Sequence, residues 1–357
     1  MTIVCNEICL PRVSGGLTLL ISLGVDSADG VRQHDEPVRE LSEFLRQTKS
    51  VVFVNPVAGG GAGAGTGRAE RNLRIVRGAF ERLKMEPEFV VAASVVAMEE
   101  RVRVALADGA RLLFAMGGDG TVQALVNAVG APSVGGDEVV IGILPAGGGN
   151  DFALALGLSK DLETAIGALG DASIRSVDLL RARTADGAVR LFVGGGGIGL
   201  DVEASRHASG AYRRWPGRSR YLASALHAWH EFVPIGVRVE FPDDNIAAIE
   251  ERVMLAAVLN TPSYGAGLRV APEARIDDGL LDVAIIESLS AARVARALPR
   301  LVASGKLPDS YFTRRKARVA ILQTDRACMF HGDGEILGPA PVRIEVVPNA
   351  IRVLALA

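Results

Sequence analysis

Cysteine is scarce: the 357 residues hold three, at positions 5, 9 and 328. They make neither a zinc-binding spacing nor an even disulfide framework, which argues against a disulfide-stapled secreted scaffold and for a reducing cytoplasm. Long apolar runs are missing too, with none near the ~20 residues that cross a bilayer. The apolar piece Gly16–Val25 follows Glu7 and has only Arg12 as a basic residue before it, so it reads as a poor signal peptide. No charge of one sign dominates: 39 Lys and Arg against 41 Asp and Glu leave a net −2, which gives no argument for a nucleic-acid partner. Two nucleotide signatures are also absent. Nothing matches Gly-x-x-x-x-Gly-Lys-Ser/Thr, and the glycines from Gly61 to Gly67 do not complete Gly-x-Gly-x-x-Gly at a strand end.

Glycine, by contrast, is abundant, with 41 residues, and it gathers in loops after apolar runs, where backbone must approach something closely. The stretch 114–126, Phe-Ala-Met-Gly-Gly-Asp-Gly-Thr-Val-Gln-Ala-Leu-Val, shows the pattern. A short apolar run reads as a strand buried on both faces, and Val122, Leu125, Val126 and Val129 mark one stripe of a helix. Between them, Asp119 stands in an exposed loop at a helix N-terminus, where free N–H groups favour a phosphate. A carboxylate beside a phosphate needs a cation between them, so Asp119 is expected to serve Mg²⁺ and phosphate. The simpler alternative is a tight turn with Asp119 as a helix cap. Asn55-Pro-x-x-Gly59, Gly117-Gly118-Asp119-Gly120-Thr121 and Leu144-Pro-Ala-Gly147-Gly148-Gly149-Asn150-Asp151-Phe-Ala153 each follow or end a predicted strand. One such loop is common punctuation; three on one sheet edge form a cradle of N–H donors.

The order of patterns predicts an α/β domain over 49–175, an open parallel sheet whose strand ends carry loops on one ligand-binding edge, followed by an antiparallel β-sandwich over 176–330 with few helices. Residues 1–48 read as an extension without an assigned role, in which Val38, Leu41, Phe44 and Leu45 line one helix face. The last segment, 331–357, carries Asp333-Gly-Glu335 after the strand Cys328–His331.

Asn-Pro-x-x-Gly, Gly-Gly-Asp-Gly-Thr, Pro-x-Gly-x-x-Asn-Asp-Phe-Ala, Val270–Val283 and Asp-Gly-Glu, in that order, resemble the catalytic domain of diacylglycerol-kinase-like lipid kinases, which include bacterial diacylglycerol kinases and the sphingosine and ceramide kinases. The resemblance runs from about 50 to the C-terminus. It implies an NAD-kinase-like fold, ATP bound by the first domain, lipid received by the second, an active site between them, and a final segment returning to the first domain. It also implies nucleotide contacts from Asn55, the loop from Gly117 through Thr121 to Val122 and Gln123, and Ser94, where the family tends to have Thr. It further implies Mg²⁺ at Arg275, Asp278 and Leu280 through two carbonyls and one carboxylate. The chain departs from the family at Gly148, usually Thr, at Gln123-Ala124, usually Asn-Glu, and at Gly194–Gly197, a region that often holds Asn.

Phosphoryl transfer needs a base for the attacking hydroxyl. Glu335 is the expected base with Asp333 beside it, and His331 helps hold them; the alternative is a hairpin turn with solvated acids. His227 and His230 share a helix face without an evident third metal ligand. Arg206–Tyr221 interleaves five arginines with Tyr212, Trp215 and Tyr221, a pattern that suits either peripheral docking on the inner membrane surface or a solvated loop. Two other functions share parts of this pattern. An NAD kinase shares Gly-Gly-Asp-Gly-Thr, and a non-catalytic nucleotide- or lipid-binding module fits the departures. The expected function remains ATP-dependent phosphorylation of diacylglycerol or a sphingoid base, with room for a homodimer.

Overall fold

The computed structural model describes residues 36–56, 66–92, 94–130, 139–212, 217–265, 267–304 and 306–356. α1 (Glu36–Gln47) leads into an alternation of β1 (Ser50–Val54), α2 (Thr66–Arg82), β2 (Glu88–Val91), α3 (Val95–Ala107), β3 (Leu112–Gly117), α4 (Asp119–Val129) and β4 (Val140–Pro145). The four strands are parallel in the order β2-β1-β3-β4. β1, β3 and β4 bury every residue, which is why they read as continuous apolar runs rather than alternating ones. Helices cover both faces. Phe53, Leu113 and Ile141 meet Val102 of α3 and Leu125 of α4. Val52, Phe114 and Leu144 meet α1, α2 and, after α5 (Asp151–Ala155), α6 (Leu162–Gly167). Leu41 and Leu45 of α1 are buried in that second core. A boundary at 48 therefore cuts off a helix that packs on the first domain, because its apolar stripe has the sheet's helices to bury against.

The second part comprises β5 (Ser173–Arg183), β6 (Val189–Phe192), β7 (Gly195–Gly199), α7 (Leu200–Ser209), α8 (Gly217–Glu231), β8 (Ile235–Glu240), β9 (Ile249–Leu259), β10 (Leu281–Glu287), α9 (Ala291–Ser304), β11 (Phe312–Ala317), β12 (Val319–Thr324), β13 (Met329–Gly332), β14 (Glu335–Pro339) and β15 (Val342–Ala355). Its strands pair antiparallel around a core that includes Phe192, Val239, Val258 and Phe330. The fold class is that expected, an α/β domain plus a β-sandwich, but α7 and α9 add helices that the strand-rich texture did not announce. The apolar run Ala317–Ile321 divides between β11 and β12, because Arg318 between them gives its N–H and guanidinium to Asp244 (2.8 and 3.2 Å).

β15 joins the two parts. Its first half pairs antiparallel with β12, its last residues pair parallel with β4, and β5 runs antiparallel along both. β5 itself crosses the expected boundary at 175 without a break. The glycine run Gly194–Gly197 enters a strand rather than a loop. A Cβ on Gly196 would lie 2.3 Å from the His331 carbonyl oxygen and 2.5 Å from the Phe330 ring, so only glycine lets β13 lie against β7. Strand pairing thus carries the β13–β14 hairpin to the edge where β1, β3 and β4 end.

Candidate active site

Three strand-end loops make one structure. β3 must end in glycine, since a Cβ on Gly117 would lie 2.1 Å from Thr121 Oγ1. A Cβ on Gly147 would lie 2.3 Å from Gly118 Cα, so the loops after β3 and β4 pack backbone to backbone. Asn150, in the left-handed region at φ 58°, accepts from Gly147 N–H at 3.1 Å and donates to its carbonyl at 3.2 Å, which fixes the second loop. Asn55 donates through Nδ2 to Thr121 Oγ1 at 3.0 Å, tying in the loop after β1.

Four carboxylates converge here, each held differently. Asp119 is half-buried rather than exposed, and it caps not its own helix but the next: its oxygens accept from the Asp151 and Phe152 N–H groups at 3.1 and 3.0 Å, at the start of α5. Burial, then the neighbouring Asp151 charge, raises its pKa against the pull of those amides. Asp151 accepts at 2.6 Å from Ser263 Oγ. Asp333 sits in the β13–β14 turn at φ 51° and accepts from the N–H groups of Val193, Gly194 and Gly195 at 2.7, 2.9 and 3.2 Å. Burial and then Asp119 push it up to about 7, although the three amides favour the charged form. Glu335 stands exposed, with Oε1 3.5 Å from the Cβ position of Gly120. The tip of Gly-Gly-Asp-Gly-Thr therefore faces the hairpin. Gln123 fastens the two by donating to the Gly332 carbonyl at 3.2 Å.

Sequence reasoning missed a supporting layer. Tyr264 OH donates to Asp201 Oδ2 at 2.6 Å. Burial raises Asp201, with Tyr264 and His331 pulling it back. Burial, then Asp201, raises Tyr264 well above its ordinary value. His331 is buried and held low by that burial, against Asp201 and Glu335. Asn260 donates to the carbonyls of Asp178 and Val193 at 3.0 and 3.1 Å, bracing the amides that hold Asp333. A signal existed: Asp201 follows a glycine run, and Ser263-Tyr264-Gly265 follows an apolar strand, the pattern of the other loops.

A cleft of about 1150 Å³ joins these groups to an apolar wall of Leu226, Trp229, Leu268, Leu289, Leu298 and Leu301. Its polar end carries Asp119, Asp151, Asp201, Asp333 and Glu335, and among the described lining residues Arg190 is the only Lys or Arg. Such an end repels a bare phosphate and accepts one that arrives with a hard cation.

The diacylglycerol kinase catalytic domain matches residues 49–182, and the YegS C-terminal NAD kinase beta sandwich-like domain matches 196–355. A Pseudomonas aeruginosa protein named a probable lipid kinase, YegS-like, is 33% identical over 254 residues, 71% of this chain and 79% of that one. The chain belongs to the diacylglycerol-kinase-like family of lipid kinases. A diacylglycerol kinase of Mycobacterium tuberculosis is 28% identical over 311 residues, covering 86% of this kinase and 94% of its own length. A crystal structure of a Bacillus anthracis diacylglycerol kinase shares the fold, with a TM-score of 0.60 at 19% identity over 86% of this kinase and 96% of that chain.

Within the kinase, the nominated residues fall into groups. Asn55, Ser94, Gly118, Asp119, Gly120, Thr121, Gln123, Gly148, Asp151, Asp333 and Glu335 line the one cleft. Val122 does not, because its side chain is buried in the α/β core. Gln123 uses its side chain on the hairpin, and Ser94 caps α3 by accepting from Ala97 N–H at 3.1 Å. Gly59 lies outside the described residues.

Around the nominated metal residues Arg275, Asp278 and Leu280, the side chains find partners within the protein. Asp278 accepts from Leu280 N–H at 3.1 Å and pairs with the Lys316 ammonium at 3.0 Å, which also lies 3.3 Å from Asp282. Burial pulls Lys316 down, but the two aspartates outweigh it and its pKa is raised. Arg275 turns to Asp277 at 3.2 Å. The Lys316 ammonium thus stands at the one carboxylate of the expected Mg²⁺ set. Their segment instead docks on β5, where the buried Asp178 accepts from Gly279 N–H at 2.7 Å and Asn349 N–H at 2.8 Å. Among the described residues, no helix is long and apolar enough to cross a membrane.

Proposed function

We propose that this lipid kinase transfers the γ-phosphoryl group of Mg²⁺-bound ATP to a hydroxyl of diacylglycerol or a related lipid, with Glu335 as the base. The observation that carries this reading is the single cleft, which joins glycine loops and carboxylates at one end to an apolar wall at the other. In the reaction the lipid hydroxyl oxygen forms a bond to the γ-phosphorus, the bond to the β–γ bridging oxygen breaks, and ADP leaves. The hydroxyl proton passes to Glu335, whose carboxylate accepts no hydrogen bond from a described residue. Asp333 is a positioning residue, since both its oxygens are held by backbone amides. Mg²⁺, when bound with the triphosphate, offsets the charge between phosphate and acids. The apolar wall speaks against NAD as acceptor, because a charged dinucleotide gains nothing from it.

A bilayer-borne acceptor requires the cleft to meet a membrane, and the basic, aromatic sequence 206–221, which runs from the end of α7 into α8, supports peripheral docking on an anionic surface. Residues 213–216 of that segment lie outside the described ones. Labelled ATP offered with diacylglycerol, sphingosine, ceramide and NAD tests the whole reading. Label should pass to a lipid hydroxyl; transfer to NAD alone, or binding of ATP and lipid without transfer, would sink it.

A further inference from the structure

α9 supplies part of the apolar wall of the cleft. Val294, Ala297, Leu298 and Leu301 recur at i, i+3, i+4 and i+7, so they share one face of the helix, and all four line the cleft. The start of the helix is pinned from two sides. Trp229 Nε1 of α8 donates to the Leu289 carbonyl at 3.4 Å, and Tyr311 OH donates to the Arg293 carbonyl at 3.1 Å.

The other positions of α9 face outward, and their composition is not that of an ordinary solvated helix. Arg293, Arg296 and Arg300 recur at i, i+3 and i+7, forming one exposed stripe. Between and beside them stand Ala292, Ala295, Pro299 and Ala303, also exposed. From 288 to 308 the chain holds four basic residues, the three arginines and Lys306, and no Asp or Glu. A solvated helix face commonly intersperses charges of both signs, which support one another as i,i+4 pairs. Here no acid is within reach along the helix. Among the described residues none of the three arginines pairs with a carboxylate, and Arg293 instead lies over the Tyr311 ring, 5.4 Å from its centroid.

A single-sign stripe interleaved with small apolar residues fits an anionic lipid surface. Arginine heads meet phosphate there, while their aliphatic stems and the neighbouring alanines rest against the boundary between headgroups and acyl chains. The same helix shows its leucines to the cleft, so a bilayer seated on its outer side is brought to the apolar end of the site. An acidic protein would satisfy the arginines but would make no use of that second face.

We infer that α9 is a membrane-docking helix, whose arginine stripe seats on the anionic surface of a bilayer and sets the apolar end of the cleft at the lipid. The inference rests on the lipid-acceptor reading above and adds to it a second docking element, between β10 and β11, separate in the chain from residues 206–221.

The test is sedimentation of the full chain with phosphatidylcholine vesicles, with and without phosphatidylglycerol, in the absence of nucleotide. Each basic residue near an anionic surface is worth about fivefold in binding, so Arg296→Ala with Arg300→Ala should weaken partition to the anionic vesicles about 25-fold at low salt. Neither arginine lines the cleft, and alanine favours the helix, so the thermal midpoint and turnover of a water-soluble short-chain diacylglycerol should match wild type. Turnover of long-chain diacylglycerol held in anionic vesicles should fall with partition. Lysine at both positions should restore both, and high salt should reduce wild-type partition to that of the alanine variant. Equal partition of the alanine variant and wild type, or wild-type partition that neutral vesicles match, would overturn the inference. Partition is read without phosphoryl transfer, so a wild type that docks through these arginines yet phosphorylates neither diacylglycerol would count against the kinase reading and leave the docking helix standing.

Discussion

Replacing Asp119 by Asn separates its cap on α5 from its proposed part in catalysis. In the structure its two oxygens accept from Asp151 and Phe152 N–H at the start of α5. Asn keeps one acceptor and turns an NH₂ toward the other amide, which loses a charge-assisted bond and leaves a donor unpaired, a cost of about 1–3 kcal/mol. Against that, the change removes a carboxylate whose ionisation burial and Asp151 already oppose, so the net loss should not exceed about 2 kcal/mol. At roughly 2–4 °C per kcal/mol for domains of this size, the thermal midpoint falls by at most about 8 °C. Against a typical stability of about 5–15 kcal/mol, the variant stays folded at 25 °C. Turnover should drop far more, by about 10²–10³, the usual effect of removing one preorganised electrostatic contact to the transition state. The assay is thermal unfolding alongside transfer of labelled phosphate at saturating ATP and Mg²⁺, at 25 °C. Turnover within about threefold of wild type with a lowered midpoint would refute the catalytic part of the argument and leave Asp119 as the cap of α5 alone.

Asp333 makes a pH prediction. Its folded pKa, about 7, lies above the unfolded value of about 3.9, so the stability it contributes is fully present below about pH 4 and is lost as pH rises through about 7. The midpoint of Asp333→Asn minus that of wild type should therefore climb between pH 4 and 7 and then level off; a flat difference across calorimetric scans would contradict the assignment. At the apolar end, Ala297 is buried in the cleft wall. Ala297→Trp should raise KM for long-chain diacylglycerol while leaving KM for ATP within about twofold, small beside the tenfold that 1.4 kcal/mol represents; parallel rises in both would mean global distortion instead of an acyl-chain role.

The fold was legible where burial writes itself into the chain. The fully buried parallel strands and the helix stripe of Val122, Leu125 and Val126 could be read directly. Illegible parts were those decided by long-range neighbours. The glycine run after Val193 becomes the strand β7 because β9 pairs along its length and β13 closes on its other edge. β15 begins in the period-two run Val342–Val346, which local pattern shows, but runs on to Ala355 because β4 and β5 are there to pair with it. In the site, Asp119, Asp333 and Glu335 were nominated from their loops, yet what holds each was not legible: which acid faces backbone amides and which faces the cleft depends on residues 32 to 140 positions away. Lys316 likewise meets Asp278 only through the β10–β11 pairing, which no local pattern around the Asp-Gly turn could show.

The most direct test of the account is single-turnover phosphoryl transfer from labelled ATP to diacylglycerol by Glu335→Gln, with nucleotide affinity measured on the same sample. The substitution keeps the size of the side chain and removes its basicity. The account predicts a transfer rate lower by about 10²–10⁴, the usual contribution of a positioned general base, with ATP affinity unchanged because the loops at 55, 117 and 147 do not rely on this residue. A normal transfer rate, or a rate that falls only as far as ATP binding does, would contradict it.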